Sequence, residues 1–412
     1  MNYLTEQNFE IELLPGRLGR GGEGEVLSVA RNPHLVAKIF HNPTLERCSK
    51  LEFMVDNPVP QTSDHPWVAW PTEIIYTRDA HPQFAGFLMP KSANCRQLFT
   101  CYNQLLRRTQ FPCFDYRSLV HCGRNLAAAV RYAHRQGHVI GDLNESNVFV
   151  TSDARVTLID ADSWQISDPE TGQLYGSAFA KSEYLPRELQ ALDLSKYIRE
   201  PCHDNFALAV LLFKLITEGC HPFDGIYQGQ GDVPELESRI GAGEFPHHEE
   251  SAGDWTPKDL ALPFETLHPY LQELFLQAFV DGHGDPHSRP DARGWRDGFA
   301  LAERELQGCH RNSNHWFWGD ECVWCQRKKL LGGWDSFPGG HQPVVRKTSS
   351  ASNLPQPPNP VRLPAARQSW IANSSTPAPA PSCHNQKPGW FGTQIDKTVH
   401  SLNRVMEVLI PL

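Results

Sequence analysis

Short runs of apolar and β-branched residues, separated by Gly, Pro and Asn, characterise the first hundred residues of the chain. Three such runs are Glu25–Ala30, Leu35–Phe40 and Phe84–Met89. Apolar runs of this length, bounded by turn-forming residues, are typical of β-strands. The pattern therefore predicts a β-rich N-terminal region.

The apolar period changes after Tyr116. From there to Gly137 apolar residues recur near every 3.6 residues, which predicts an amphipathic helix. The run Phe206–Ile216 is apolar on nearly every face, and because it is too short to span a bilayer it predicts a buried helix. The order of these elements predicts an α+β fold, with a β-rich lobe over about 10–92 and a helical lobe over about 93–305.

The composition changes near residue 306. A segment rich in Cys, His and Trp spans 306–330, and a Pro/Ser-rich segment follows over 331–390. The second segment has no apolar period, so we predict an extended, disordered linker. Apolar residues regain a regular spacing over 391–412, which fits either a short amphipathic helix or a frayed terminus.

Composition narrows the class of protein. The chain has 412 residues, 40% of them hydrophobic and 21% charged, which predicts folded domains rather than general disorder. Its net charge of -9 argues against wrapping nucleic acid, which requires a basic face. No apolar run is long enough to predict a membrane span. The 11 cysteines are an odd number and mostly isolated, which favours reduced thiols and a cytoplasmic location.

The first candidate site is a glycine-rich turn. Residues Leu18–Val26 fit the pattern G-x-G-x-x-G-x-V, whose glycines allow backbone N–H groups to approach phosphate oxygens. Alone, this pattern fits an ordinary tight turn equally well. The following strand carries Lys38 among apolar residues, and a lysine there either has an anionic partner or extends to solvent at the strand edge. Together the two features predict a phosphate-binding site.

Acidic and amide side chains follow further downstream. Asp142 and Asn147 belong to a D-L-x-x-x-N sequence before an apolar strand, and Asp160 ends the next apolar run. Carboxylate and amide oxygens are ligands that Mg²⁺ prefers. Each residue alone would fit a turn cap or a solvated loop. Their order and spacing favour a magnesium site of the kind that phosphoryl transfer requires.

The combination resembles the protein kinase fold. Tyr184–Glu188 resembles the A-P-E segment of protein kinases, and Ser288–Pro290 resembles the late segment whose arginine pairs with the A-P-E glutamate. The resemblance implies a bilobal protein kinase-like domain over 10–305 that uses ATP and Mg²⁺ to phosphorylate a protein substrate on serine or threonine.

The resemblance also implies residue roles. Asp142 would orient the acceptor hydroxyl. A glutamate on the helix after the lysine strand would pair with that lysine; Glu52 is the preferred candidate and Glu46 the alternative. Three residues would hold phosphates or Mg²⁺: Lys38, Asn147 and Asp160. The nucleotide would lie against Leu18, Gly19, Gly21, Gly22, Gly24, Val26, Ala37, Lys38 and Met89.

Several positions depart from the kinase pattern. Gly141 stands where the H-R-D motif has arginine, Asp160-Ala161-Asp162 replaces D-F-G, and Asn144 replaces a lysine often found two residues after the catalytic aspartate. These departures favour an alternative function, a pseudokinase or ATP-binding scaffold without phosphoryl transfer. Retention of the whole polar set favours an active enzyme. A small-molecule phosphotransferase is disfavoured by the A-P-E-like segment.

Two phrases narrow the resemblance further. GDLNESNVFV and LIDADSWQI resemble bacterial eukaryotic-like kinases of TerY-type phosphorylation triads. In such triads the kinase is encoded with a von Willebrand factor A (vWA) protein and a PP2C-type phosphatase. The resemblance therefore implies a bacterial signalling or stress-response system with those two partners.

The Cys-rich segment is a candidate metal site. A C-x-x-C sequence supplies Cys322 and Cys325 from one turn, and Cys309 and His315 complete a set of four zinc donors. His310 is the alternative nitrogen donor. The competing interpretation is a group of reduced, unligated thiols in a Trp-rich patch. A filled set of four donors predicts a structural zinc rather than a catalytic one.

Overall fold

The N-terminal strands form a closed six-stranded barrel in the computed structural model, which describes residues 1–60 and 65–339. Every neighbouring pair is antiparallel, in the order β1-β2-β3-β4-β6-β5. Alternate side chains point inward and form a small apolar core that includes Leu27, Ala37 and Leu88. The barrel strands are β1 (Asn2–Thr5), β2 (Glu10–Arg20), β3 (Gly24–Val29), β4 (Leu35–Phe40), β5 (Glu73–Thr77) and β6 (Phe84–Pro90).

One helix, α1 (Leu45–Asp56), lies between β4 and β5 in the chain and packs against β5. Its N-cap is Thr44, whose side chain accepts a hydrogen bond from the backbone N–H of Arg47 at 3.3 Å. The buried face of α1 carries Lys50 together with Leu51. The helix therefore directs a cation, and not only apolar side chains, toward the interior.

The remaining described residues are mainly helical. Helix α4 packs along α9 and α5, and nearly every residue of α5 is buried. The helices are α2 (Phe99–Tyr102), α3 (Gln104–Gln110), α4 (Tyr116–Arg135), α5 (Pro201–Ile216), α6 (Leu236–Ala242), α7 (Pro269–Leu276), α8 (Gly282–Gly284), α9 (Ala292–Arg304) and α10 (Val323–Leu330), with a π-helical turn at Gln277–Asp281. The strands are β7 (Cys95–Gln97), β8 (Val148–Thr151), β9 (Val156–Leu158), β10 (Ile166–Ser167), β11 (Leu174–Tyr175), β12 (Ile226–Tyr227), β13 (Trp255–Thr256), β14 (Gln307–Cys309) and β15 (Asn312–Phe317).

The mixed α/β character predicted from the apolar pattern is confirmed. The predicted helix that ends at Gly137 is α4, and the predicted buried helix forms the C-terminal part of α5. The three predicted strand runs correspond to β3, β4 and β6. Within the described residues, no helix is both long and apolar enough to cross a membrane.

The predicted linker is wrong in its first nine residues. Residues 331–339 pack on the helical region, and Asp335 and Phe337 are buried there. The Arg107 guanidinium donates a hydrogen bond to the carbonyl of Ser336 at 3.0 Å, which ties this segment to α3. The rest of the predicted linker and the possible helix over 391–412 lie outside the described residues.

Candidate active site

The glycine-rich turn between β2 and β3 covers a cavity of about 800 Å³. Glycines at the turn border the opening, and a Cβ atom at Gly21 or Gly22 would meet nothing within 4 Å. The turn is closed by the Gly21 N–H donating to the carbonyl of Gly24 at 2.9 Å. Both glycines therefore leave free space above the cavity, where a ligand can approach the backbone.

Gly24 has a different role from the two glycines before it. A Cβ atom there would lie 2.3 Å from the carbonyl oxygen of Ile39 on the neighbouring strand. A side chain would therefore force β3 and β4 apart. Gly24 also borders the cavity, but its lack of a side chain is required first for strand packing.

The strand β4 presents Val36 and Lys38 to the cavity, with Ala37 on the opposite face. Ala37 is completely buried in the barrel core, so its predicted contact with the nucleotide is wrong. The reason is the period of the strand, because adjacent residues point to opposite faces. Val36 takes the position predicted for Ala37. The other predicted nucleotide-binding residues border the cavity: Leu18, Gly19, Gly21, Gly22, Gly24, Val26, Lys38 and Met89.

The loop between α4 and β8 organises Asp142. Asn144 Nδ2 donates to Asp142 Oδ1 at 2.8 Å, and Asn147 Nδ2 donates to Asp142 Oδ2 at 3.1 Å. The Asn144 side chain also accepts from the backbone N–H of Ser146 at 2.9 Å, so it fixes the loop from within. Burial raises the pKa of the Asp142 carboxyl, which makes it a better proton acceptor than an exposed aspartate.

Two buried side chains from outside this loop hold its backbone. Asp204, in the first turn of α5, accepts from the N–H groups of Ile140 and Gly141 at 2.7 and 2.8 Å. Arg199 donates to the carbonyl of Gly141 and to that of Phe179. Sequence reasoning missed both residues, because neither belongs to the motif that it supports.

The last residue of the predicted metal pair lies at the end of β9. Asp160 adopts the left-handed conformation, with φ 64°, and its carbonyl accepts from the N–H of Ser163 at 3.0 Å. Strand β9 pairs with β8, which follows Asn147 directly, and the N–H of Ile159 donates to the carbonyl of Asn147 at 3.0 Å. The pairing brings Asn147 and Asp160 to the same end of the strand pair.

Lys38 is paired with two aspartates. Its ammonium contacts Asp160 and also both carboxylate oxygens of Asp162, at 2.9 and 2.7 Å. Burial disfavours the ammonium, but the carboxylates outweigh burial and raise the pKa of Lys38 above its ordinary value. Burial also raises the pKa of Asp162, while the adjacent Lys38 ammonium opposes this shift and favours the ionised carboxylate.

The predicted glutamate partner of Lys38 is therefore wrong. Glu52 and Glu46 are both exposed on α1, and Glu52 accepts a hydrogen bond from the Cys48 thiol at 3.4 Å. Among the buried residues of the helix, the charged one is Lys50. The sequence signal that could have indicated the partner of Lys38 was Asp162, the second acid of Asp160-Ala161-Asp162, which has no counterpart in D-F-G.

Glu188 of the A-P-E-like segment forms an ion pair outside the cavity. Arg289 donates to both oxygens of Glu188, at 2.6 and 2.9 Å, and its side chain is 1% exposed. The attraction of Arg289 outweighs burial and lowers the pKa of Glu188. The pairing predicted between the A-P-E-like glutamate and the late arginine is confirmed.

The four predicted zinc donors lie together. The ligand atoms of Cys309, His315, Cys322 and Cys325 are all within 4.8 Å of one another. His315 Nδ1 lies 3.6 and 3.5 Å from the sulfurs of Cys322 and Cys325. Donors about 2.3 Å from one zinc ion in a tetrahedron are separated by about 3.8 Å, so these separations fit a tetrahedral ion.

The orientation of His315 supports the same donor set. Its Nε2 is 2.8 Å from Asp335 Oδ1, and this carboxylate directs Nδ1 toward the cysteines. A carboxylate behind a histidine ligand is the usual way to fix its ring and its tautomer. His310, the alternative nitrogen donor, is outside this group.

Comparison with known proteins finds two relatives that are both named as protein kinases. The chain is 31% identical over 317 residues to a protein named Protein kinase YegI from Escherichia coli O157:H7, a match that covers 76% of this chain and 48% of the relative. It is 30% identical over 321 residues to the protein of the same name from Escherichia coli strain K12, covering 77% and 49%. The chain thus spans about half the length of the curated relatives it matches. No family model matches the sequence.

These relatives, together with the geometry of the cavity, support a kinase-like protein. Lys38 and Asp160 meet at the cavity under the glycine-rich turn, an arrangement suited to holding the phosphates of a nucleotide.

Proposed function

We propose that the chain is an ATP- and Mg²⁺-dependent serine/threonine protein kinase. The observation that carries the proposal is the meeting of Lys38 and Asp160 at a large cavity under the glycine-rich turn. Asp142 and Asn147 are linked by hydrogen bonds beside them. Such a set supplies a cation for phosphates, oxygen donors for a metal and a carboxylate for the acceptor.

Each side chain has a distinct task in this proposal. The Lys38 ammonium binds oxygens of the α- and β-phosphates, and Asn147 and Asp160 supply oxygen ligands for Mg²⁺. When bound, Mg²⁺ neutralises charge on the phosphate oxygens. Asp142 accepts the hydrogen bond of a serine or threonine hydroxyl and orients its oxygen toward the γ-phosphorus. As the bond from that oxygen to phosphorus forms, the bond to the ADP oxygen breaks and the hydroxyl proton passes to Asp142.

The substrate class and the cellular setting extend the same proposal. A protein substrate fits the A-P-E-like segment, which is anchored by the ion pair between Glu188 and Arg289. The similarity of two sequence phrases to triad kinases supports a vWA protein and a PP2C-type phosphatase as partners in a bacterial signalling system. The mostly isolated cysteines support a cytoplasmic location.

The Cys₃His group is proposed to hold a structural zinc ion. The donors would be Cys309, His315, Cys322 and Cys325, a complete tetrahedral set that leaves no position for substrate. A zinc ion with four protein ligands would stabilise the fold and would not take part in catalysis.

The test of kinase activity is transfer of labelled γ-phosphate from Mg²⁺·ATP to the chain itself, to a generic protein acceptor and to the candidate partners. Wild-type protein is expected to transfer label, and Asp142→Ala is expected to lower the rate by about 100-fold or more. Asp79→Asn, a change at an exposed aspartate between β5 and β6, is the control and should retain the wild-type rate.

The alternative function has its own signature in this experiment. A pseudokinase or ATP-binding scaffold would bind nucleotide while neither the chain nor any partner becomes labelled. Equal labelling by wild-type protein and Asp142→Ala would show that the transfer comes from a contaminant and would remove the support for an enzyme.

A further inference from the structure

Lys38 requires an anionic partner to remain ordered in the cavity, and its most complete contact is with Asp162. The ammonium lies 2.9 and 2.7 Å from the two carboxylate oxygens of Asp162. The side chains of Lys38 and Asp162 are only 8% and 5% exposed, so the pair is shielded from solvent. Resting on the proposed kinase function, we infer that Asp162 is the positioning residue that holds Lys38 toward the nucleotide phosphates.

Helix α1, which follows the strand of Lys38, offers no anion for this task. Glu46 and Glu52 are exposed on α1, and Glu52 accepts from the Cys48 thiol at 3.4 Å. Among the buried residues of this helix, the charged one is Lys50. A second ammonium cannot pair with Lys38, so the anion must come from another element.

The buried charge on α1 is a cation, Lys50, and the buried charge on the segment after β9 is an anion, Asp162. The Lys50 ammonium donates to the backbone carbonyl of Trp164 and, at 3.3 Å, to that of Gly176. Burial lowers the pKa of Lys50 to about 8, while the nearby Asp162 carboxylate opposes that shift. The helix thus carries the cation and the segment after β9 carries the anion. Lys50 anchors α1 to the residues that follow Asp162.

The backbone around Asp162 fixes the carboxylate locally. Asp162 lies in a short 3₁₀ turn over Ala161–Ser163, which follows the left-handed residue Asp160. The Ser163 hydroxyl closes this turn by donating to the Asp160 carbonyl at 2.7 Å, and Trp164 is buried directly after it. The pairing carboxylate is therefore two residues from the carboxylate proposed to bind Mg²⁺.

This arrangement has a mechanistic consequence. When Asp160 is engaged by Mg²⁺, Lys38 keeps the second carboxylate as its partner. Because the partner lies on the same turn as Asp160, a displacement of α1 does not by itself remove it. Control of Lys38 by the position of a helix glutamate is thus absent from this site.

The test is calorimetric titration of Mg²⁺·ATP, which measures binding without requiring phosphate transfer. Asp162→Asn removes the charge and keeps the shape, and it is expected to weaken binding by about tenfold or more, because the buried ammonium loses the carboxylate that remains to it when Asp160 holds Mg²⁺. Asp162→Glu, which restores the charge, is expected to recover part of the loss. The matched control is the double variant Glu46→Gln/Glu52→Gln, which should bind within about twofold of wild type.

The outcomes separate the inference from the proposed function. No binding by wild-type protein would contradict the nucleotide site itself and leave Asp162 without a role. Binding by wild-type protein that is unchanged in Asp162→Asn, or that falls as far in the double glutamate variant, would overturn the inference alone. If Asp162→Asn does not fold, as judged by its melting curve, retained affinity in the double glutamate variant supports the inference and lost affinity overturns it.

Discussion

At the scale of single residues, Gly141 is constrained by what surrounds it. Its φ is +75°, and a Cβ atom there would lie 2.6 Å from Ser177 Oγ and 3.1 Å from Arg199 Nη1. Arg199 occupies the space beside the loop and donates to the carbonyls of Ser177 and Phe179 at 3.4 and 3.2 Å. Arg199, from a distant segment, thus lies next to Gly141, the residue that replaces the H-R-D arginine. Its N–H groups donate to backbone carbonyls rather than to a phosphate group.

The expected effect of Gly141→Ala is a lower free energy of unfolding together with slower phosphate transfer. Left-handed backbone alone costs an alanine about 1 kcal/mol, and the clash should raise the total to about 2–3 kcal/mol. Gly137→Ala is the matched control, because Gly137 also has positive φ, +83°, but an added Cβ would meet nothing within 4 Å. Urea denaturation measures the free energy of unfolding of both variants. Equal losses in Gly141→Ala and Gly137→Ala would contradict the steric argument.

The sequence located some site residues better than others. Lys38, Asp142, Asn147 and Asp160 follow from motif spacing, which depends only on local order. The error at Ala37 was avoidable, because two adjacent strand residues cannot both face one cavity. The second acid of Asp160-Ala161-Asp162 was visible in the sequence, but its pairing with Lys38 could not be predicted, because Lys38 is 124 residues away and only the fold brings the two side chains together.

At the scale of elements, the Cys-rich segment is built into the helical region. Trp316 Nε1 donates to Asp115 Oδ2 at 2.9 Å, and Asp115 is the N-cap of α4. Trp318 Nε1 donates to the carbonyl of Ala302 on α9 at 2.8 Å. Because Trp316 in β15 and Trp318 just after it are hydrogen-bonded to the N-cap of α4 and to α9, loss of the proposed zinc should loosen more than the segment itself.

We predict about one zinc ion per chain in elemental analysis, and less zinc with a lower melting temperature for Cys322→Ser. A structural zinc supplies folding energy that so few aliphatic residues cannot replace. Cys113→Ser, at an exposed cysteine, should leave both values unchanged. Full zinc occupancy in Cys322→Ser would contradict the assignment.

The elements differ in how far the sequence predicts them. Helices α4 and α5 follow from long apolar patterns. The ordered segment 331–339 does not, because its burial depends on contacts with distant residues such as Arg107 rather than on any period of its own. The orientation of α1 is a similar case, since Lys50 becomes an interior residue only through carbonyls more than a hundred residues away.

At the scale of the whole molecule, buried neutral histidines link stability to pH. His221 is 8% exposed; its Nε2 donates to the Glu183 carbonyl at 3.1 Å and its Nδ1 accepts from the Phe223 N–H at 3.2 Å. Burial, with the nearby Lys214, lowers its pKa to about 3. Burial is also the main cause that lowers the pKa values of His138 and His247 to about 4.

The sign of the pH dependence follows from these directions. The unfolded chain takes up protons on these histidines below about pH 6.5, whereas the folded chain does not, so stability falls as the pH is lowered through that window. For His221 the loss between pH 6.5 and 5 is about 2 kcal/mol. His221→Gln should therefore reduce the difference in unfolding free energy between these two pH values. An unchanged difference would show that His221 is protonated in the folded state.

The central claim is that Lys38, Asn147 and Asp160 converge on one Mg²⁺·nucleotide. It is tested most directly by titrating ATP into wild-type protein, Lys38→Met and Asp160→Asn by calorimetry, with and without Mg²⁺. The account predicts saturable binding of one nucleotide per wild-type chain that requires Mg²⁺, weakens in Asp160→Asn and is lost in Lys38→Met while both variants remain folded. A wild-type titration that releases no heat, with a melting temperature that nucleotide leaves unchanged, would contradict it.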